Sequence, residues 1–161
     1  MASELRVDRI IPVNGVPTGG GGGVIQVVNT TFVTALSGTV ASRVDTGLSL
    51  TITPTSSSSK ILVFVNLADL AKYGGTGTGP YARFWLMRDS TELVRFGGQV
   101  GYTGDTSIYS GATVSTNYLD SPATTSAVTY KVQWQNVSGA GTLELNASSG
   151  DSTMTLMEVS G

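Results

Sequence analysis

Five aspartates fall among turn-forming residues, and paired carboxylates are the groups from which glycoside hydrolysis is built. They are Asp69, Asp89, Asp105, Asp120 and Asp151. Two carboxyl groups at a fixed separation can protonate a glycosidic oxygen and activate water. A loop aspartate is more often a turn residue, because its side chain bonds to nearby backbone. We therefore expect no enzymatic activity, and keep glycan cleavage as an alternative.

The residue types that supply most catalytic and metal-binding chemistry are missing. The chain has no histidine and no cysteine, which excludes a Ser-His-Asp triad, imidazole ligands, thiolate metal sites and disulfides. Asp105 and Asp120 could ligate calcium, but the D-x-D-x-D-G pattern of a calcium loop is absent. The glycine runs at 19–23 and 74–79 lack the Lys-Ser or Lys-Thr of a phosphate-binding loop. The sequence therefore predicts no cofactor and no metal.

Tyrosines in loops rich in glycine, serine and threonine point to recognition. Tyr73 precedes GGTGTG, and Tyr102 lies close to Asp105 in VGYTGD. A tyrosine ring offers a large rigid surface and one hydroxyl, which suits contact with a protein or a sugar. We take Tyr73, Tyr102 and Asp105, in loops 69–80 and 99–106, as candidate receptor-binding residues. Packing of these rings against a neighbouring loop or subunit is the alternative.

The composition indicates one β-rich globular domain. Of 161 residues, 40% are hydrophobic and 12% are charged, and the net charge is −2. The charged fraction is about half of the ordinary value near 25%. This charge gives no electrostatic basis for nucleic-acid binding. No apolar run reaches the roughly 18 residues of a membrane span, and the charged start MASELRVDRI does not resemble a secretion signal.

Nine strand patterns follow the first glycine run, and no helical period persists for three turns. The two residues Asp89 and Ser90 separate two of these strands, which predicts a tight hairpin. Short strands divided by Gly, Ser, Pro and Asp predict an all-β fold, an antiparallel β-sandwich of the jelly-roll type. The predicted strands span 24–32, 47–53, 60–67, 81–88, 91–98, 107–118, 126–136, 141–147 and 153–159.

Two predicted strands are apolar on both faces. KILVFVNL carries Leu62 and Phe64 on its second face, and YARFWLMR carries Tyr81, Trp85 and Met87 on its second face. The outer face of each sheet in a two-layer sandwich meets water, so a second apolar face needs another partner. Self-association in a closed symmetric oligomer supplies one. We take Tyr81, Trp85 and Met87 as candidate residues of this interface.

The first 18 residues are set apart from the β pattern by five glycines. Their apolar residues are Leu5, Val7, Ile10 and Ile11, in a segment too short to fold alone. A glycine run is a flexible joint. We therefore divide the chain into an anchor at 1–18, a linker at 19–23 and a β head at 24–161. A frayed terminus is the alternative to an anchor.

Three segments carry a resemblance to a known group. SELRVDRIIPVNGVPTGGGGGVIQVV resembles the N-termini of small tail-fibre proteins of marine phages, cyanophages among them, in which an L-x-V-D-x-I segment precedes a glycine joint. LSLTITPTSSSSKILVFVNL (48–67) and the ending TMTLMEVSG are similar to the same group. The order of elements is also similar to the trimeric jelly-roll heads of the complement and tumour necrosis factor type, although their aromatic-rich core signatures are absent.

The resemblance implies a non-enzymatic, homotrimeric phage tail-fibre or receptor-binding protein that attaches the virion to a host-surface glycan or protein. The segment with Leu5, Val7, Ile10 and Ile11 would bind other tail or baseplate proteins. The protein would be made in the host cytoplasm without a signal peptide, with no nucleic-acid partner and no membrane insertion. The alternative is a structural virion protein, a head decoration protein or tail adaptor, that binds only virion proteins. A cellular jelly-roll lectin is a further alternative.

Overall fold

The computed structural model describes residues 23–73, 81–100, 110–137 and 141–161. Within these ranges no helix has the length and apolar character needed to cross a membrane. All strand pairs are antiparallel. The strands are β1 (Val24–Phe32), β2 (Leu36–Gly38), β3 (Val44–Ile52), β4 (Lys60–Tyr73), β5 (Ala82–Arg88), β6 (Thr91–Val100), β7 (Ser110–Asp120), β8 (Val128–Asn136), β9 (Thr142–Leu145) and β10 (Ser152–Val159).

These strands form two sheets. In the first sheet, β1 pairs with β10, and β10 pairs with the first half of β4; β9 pairs with the end of β4 and with β2. Strand β7 pairs along the opposite edge of β4. The second sheet has the order β3-β8-β5-β6. The pairs β1 with β10, β3 with β8, β4 with β7 and β5 with β6 are nested within one another along the chain. Nested pairs of this kind are the connectivity of a jelly roll. The predicted all-β antiparallel sandwich is confirmed.

Strict alternation of buried and half-buried residues builds the core between the sheets. In β8, Val128, Tyr130, Val132 and Trp134 are all buried, while the residues between them are half-buried. The inward side chains of β4 and β10 face them from the other sheet. Because each fully buried large side chain contributes about 1.5–3 kcal/mol, this alternation supplies the main stabilisation of the head.

The strands depart from the predicted ones at several points. β2 has three residues, too few to show a period in the sequence. β4 continues past 67 to Tyr73 through a bulge at which Asp69 has a φ of 45°. The bulge lets both Leu67 and Leu70 face the core. Placing Asp69 and Asp120 in loops was therefore wrong, because Asp69 sits in this bulge and Asp120 is the last residue of β7.

The anchor at 1–18 and the linker up to residue 22 lie outside the described residues. So do Leu5, Val7, Ile10, Ile11, Tyr102 and Asp105. Tyr73 is described only through its backbone, as the last residue of β4. Their roles in virion attachment and receptor binding stay predictions.

Candidate binding faces

Asp120, considered above for catalysis and calcium binding, is occupied by an internal network. Arg88 Nη1 donates to both Asp120 oxygens at 2.9 and 2.7 Å, and the Tyr130 hydroxyl donates to Oδ2 at 2.7 Å. Burial, together with its hydrogen bond to Asp120, raises the pKa of Tyr130. The network joins β7 of the first sheet to β5 and β8 of the second. Asp120 therefore has a structural role at this end of the sandwich.

Asp89 has the role of a turn residue in the β5–β6 hairpin. Its φ is 50°, and its backbone N–H donates to Thr129 O at 2.8 Å. Its Oδ1 accepts a hydrogen bond from Thr129 N at 3.0 Å. The predicted hairpin at Asp89 and Ser90 is confirmed. Over the described ranges, no three acidic side chains come close enough together to hold a metal ion.

The outer face of the second sheet carries a chain of paired polar side chains. Arg43 donates from Nε to Gln133 at 2.7 Å and from Nη1 to Glu92 at 2.7 Å. Asp45 accepts from Lys131 Nζ at 2.8 Å and from Gln133 Nε2 at 2.6 Å. The Lys131 hydrogen bond holds the pKa of Asp45 below its ordinary value, against the opposing effect of burial. These side chains carry both signs of charge and face water.

Four of these side chains border an open groove of about 770 Å³. Charged donors and acceptors around a concave surface suit a ligand rich in hydroxyl groups, because each hydroxyl both donates and accepts a hydrogen bond. We call this site the polar groove. Its lining residues are Arg43, Met87, Asp89, Ser90, Glu92, Thr129, Lys131 and Gln133.

Trp85 and Met87, the candidate interface residues on β5, are covered within a single chain. Trp85 is 7% exposed and Met87 is 6% exposed. The Arg43 guanidinium lies 4.5 Å from the centre of the Trp85 ring, and its Nη2 lies 2.7 Å from Met87 Sδ. Tyr81 is half-buried under Arg83, 5.2 Å from the ring centre. The apolar second face of β5 therefore needs no second copy, and assigning these residues to an interface stays a prediction.

The outer face of the first sheet has an uncharged central area that spans four adjacent strands, β1, β10, β4 and β7. Strand register places its outward side chains in three rows of four. We call these residues the uncharged face. Lys60, paired with Val159, lies at its rim. The rows are Val27, Met157, Leu62 and Leu119; then Asn29, Thr155, Phe64 and Asn117; then Thr31, Thr153, Asn66 and Ser115.

This face exposes large apolar side chains to water. Val27 is 53% exposed, Leu119 50% and Phe64 42%. Beside Phe64 lies a cavity of about 300 Å³, bordered mainly by asparagine, serine and threonine side chains. The sequence signal for this face was the two-sided strand KILVFVNL, whose Leu62 and Phe64 point outward here. The polar groove had no such signal, because it depends on the register of strands distant in the sequence.

These two faces are carried by an all-β sandwich, and comparison with known proteins adds no family to that description. No protein-family model and no curated protein matches the chain. The structure of infectious bursal disease virus, Gx strain, is similar with a TM-score of 0.31 and 12% identity, covering 92% of this chain and 44% of that chain. This chain thus spans less than half the length of that chain. A TM-score this low carries no argument about fold or function.

Proposed function

We propose that this chain is the non-enzymatic head of a virion appendage, a phage tail-fibre protein that binds a host-surface glycan. The observation that carries the glycan site is the polar groove, with its charged donors and acceptors on a hydrogen-bonded sheet. The sequence resemblance to phage tail fibres supports the virion setting. Three copies would convert weak single-site binding into firm attachment through avidity.

A second, less specific proposal retains the assignment to a virion but not the binding of a host receptor. The chain would then be a structural virion protein that contacts only its virion neighbours, and the exposed apolar side chains of the uncharged face favour this second function. The two functions differ in what the purified head binds. A receptor-binding head retains affinity for glycans in the absence of any virion protein, whereas a structural protein does not.

Binding to immobilised bacterial polysaccharides and oligosaccharides tests the proposal. Ser90 is an exposed groove residue in the hairpin turn, and Ser90→Trp would fill the groove without touching the core. Thr125→Trp adds the same ring at an exposed position outside the groove lining. We expect the wild type and Thr125→Trp to bind the same glycan, and Ser90→Trp to bind it at least about tenfold more weakly, since tenfold corresponds to only about 1.4 kcal/mol.

Three results would contradict the proposal or the site it assigns. Wild-type protein that binds no glycan, but captures virion proteins, would favour the structural function. Release of reducing ends from a bound polysaccharide, lost on a single Asp→Asn substitution, would show an enzyme instead. Binding that survives Ser90→Trp unchanged would remove the polar groove as the site.

A further inference from the structure

We propose that the uncharged face is the surface through which copies of this chain associate. This inference assigns an interface to the oligomeric head proposed above, and it rests on that proposal only for the number of copies. The argument itself uses the outward side chains of β1, β10, β4 and β7.

The first step is a continuous apolar row across all four strands. Val27, Met157, Leu62 and Leu119 stand side by side in register. Directly opposed side chains have Cβ atoms about 4.5–5.5 Å apart, so the four form one unbroken stripe. Of the six large hydrophobic side chains exposed among the described residues, Val27, Phe64 and Leu119 belong to this face, and Val24 adjoins it. A contiguous exposed apolar stripe is a feature that interaction sites share.

The second step identifies the occupant as another copy. In a symmetric oligomer, copies of the same surface patch lie against or beside one another. Any charge in the patch would therefore face the same charge on another copy and be repelled. The twelve residues of the uncharged face include no charge. The outer face of the second sheet holds Arg43, Asp45, Glu92 and Lys131 in water-facing pairs. Covering that face would strip water from at least four charges, whereas covering the twelve residues of the uncharged face strips water from none.

The third step compares areas. Four strands about 4.8 Å apart and three rows about 6.8 Å apart give roughly 400 Å² of flat surface. A standard interface buries about 800 Å² per partner. The face therefore forms the centre of a contact that continues onto its neighbours. Val24, 52% exposed, and Val159 adjoin the first row, and Lys60, which pairs with Val159, limits the apolar surface on that side.

Light scattering on the full chain, over a range of protein concentrations, tests this assignment. We expect the wild type to show a multiple of the chain mass of 16.6 kDa. Val27→Glu and Leu119→Glu, each at a half-exposed position of the face, should reduce the mass at least twofold, to a single chain. The matched control is Val44→Glu, at a position 42% exposed on β3 of the second sheet. We expect this control to keep the wild-type mass.

Two outcomes would overturn the proposal: a wild type that stays at 16.6 kDa at every concentration, or face variants that keep the wild-type mass. In the second case the full-length double variant Leu5→Glu/Ile10→Glu would show whether the N-terminal segment holds the copies together instead. A dimer sensitive to Leu119→Glu would uphold this face and contradict the homotrimer. Ser90→Trp should impair glycan binding without changing the mass of the assembly. Failure of the proposed glycan binding can therefore be distinguished from failure of the proposed interface.

Discussion

Two buried carboxylates are stabilised by different chemistry at the scale of single residues. Asp120 is 6% exposed and is paired with Arg88 and Tyr130. Glu158 is fully buried and is held by neutral donors. It accepts hydrogen bonds from Thr55 N and Oγ1 at 2.7 Å, and from Gln26 Nε2 at 2.5 Å. Each carboxylate thereby fixes neighbouring segments that lie far apart in the sequence.

Asp120→Asn should lower the free energy of unfolding substantially. The substitution removes the negative charge from a buried pair and leaves Arg88 without its counter-ion. Breaking such a pair costs about 3–5 kcal/mol, and we expect the lower end because the Arg88 side chain is 22% exposed. Asp45→Asn is the control, since its ion pair with Lys131 is exposed and should cost less than about 1 kcal/mol. Urea denaturation measures both, and equal effects would contradict the structural role given to Asp120.

Glu158→Gln should destabilise the protein in a pH-dependent way. Burial opposes ionisation, but the Gln26 and Thr55 hydrogen bonds prevail, and the pKa of Glu158 lies below its ordinary value of 4.5. The unfolded chain therefore takes up this proton first on acidification. The stabilisation is complete above pH 4.5 and is lost as the pH falls through the lowered pKa of the folded state.

We therefore expect Glu158→Gln to cost about 1–3 kcal/mol near neutral pH. The difference from wild type should shrink as the pH falls below the ordinary glutamate value. Urea denaturation at a series of pH values measures this difference. A difference that is constant with pH would show that the charge of Glu158 contributes nothing. Glu92→Gln, at an exposed ion pair, should cost less than about 1 kcal/mol.

At the scale of elements, irregular points in the strands decide which side chains reach the core. The β5–β6 register shifts between Phe84 and Ala82, next to Gly97 with a φ of 69°. A Cβ at Gly97 would lie 2.8 Å from Phe84 Cδ2 and 3.1 Å from Val114 Cγ1. Glycine is required here both for the left-handed backbone and for the close approach of the two sheets.

Gly97→Ala should therefore destabilise the head by about 1–3 kcal/mol, the usual cost of overpacking a core. Gly98→Ala is the matched control, because a Cβ at Gly98 would meet nothing within 4 Å. Thermal unfolding of both variants measures the difference. A melting temperature of Gly97→Ala equal to that of Gly98→Ala would contradict this account of Gly97.

At the scale of the whole molecule, the two outer faces of one sandwich have opposite character. One carries paired charges around the polar groove, and the other is uncharged with an apolar row. A jelly roll permits this division because each sheet alternates independently between the shared core and its own outer surface. We propose recognition on the first face and self-association on the second.

The two proposed interactions should respond differently to salt. At about 1 M salt the Debye length falls to about 3 Å, which weakens attraction between exposed charges and leaves apolar contacts intact. We expect the mass of the assembly to be the same at low and high salt, while glycan binding at the polar groove weakens if the glycan is charged. Light scattering at both salt concentrations measures the mass. Dissociation at high salt would contradict an uncharged interface.

Much of the fold followed from local patterns. The positions of β8 and β10, the hairpin at Asp89 and Ser90, and the boundaries of β1 all depend on residues close together in the chain. Leu62 and Phe64 likewise marked β4 as apolar on both faces. Such features are predictable because side-chain period and turn chemistry are properties of neighbouring residues.

The sequence by itself thus determined the all-β class, most strands and the existence of an unpartnered apolar face. Only the tertiary structure decided which face that was. The outer side of β5 looked equivalent in sequence, but Arg43 folds over Trp85 and Met87 and covers them within one chain. Contacts of this kind join residues some 40 positions apart. They depend on strand register, which is set by the whole fold and not by any local period.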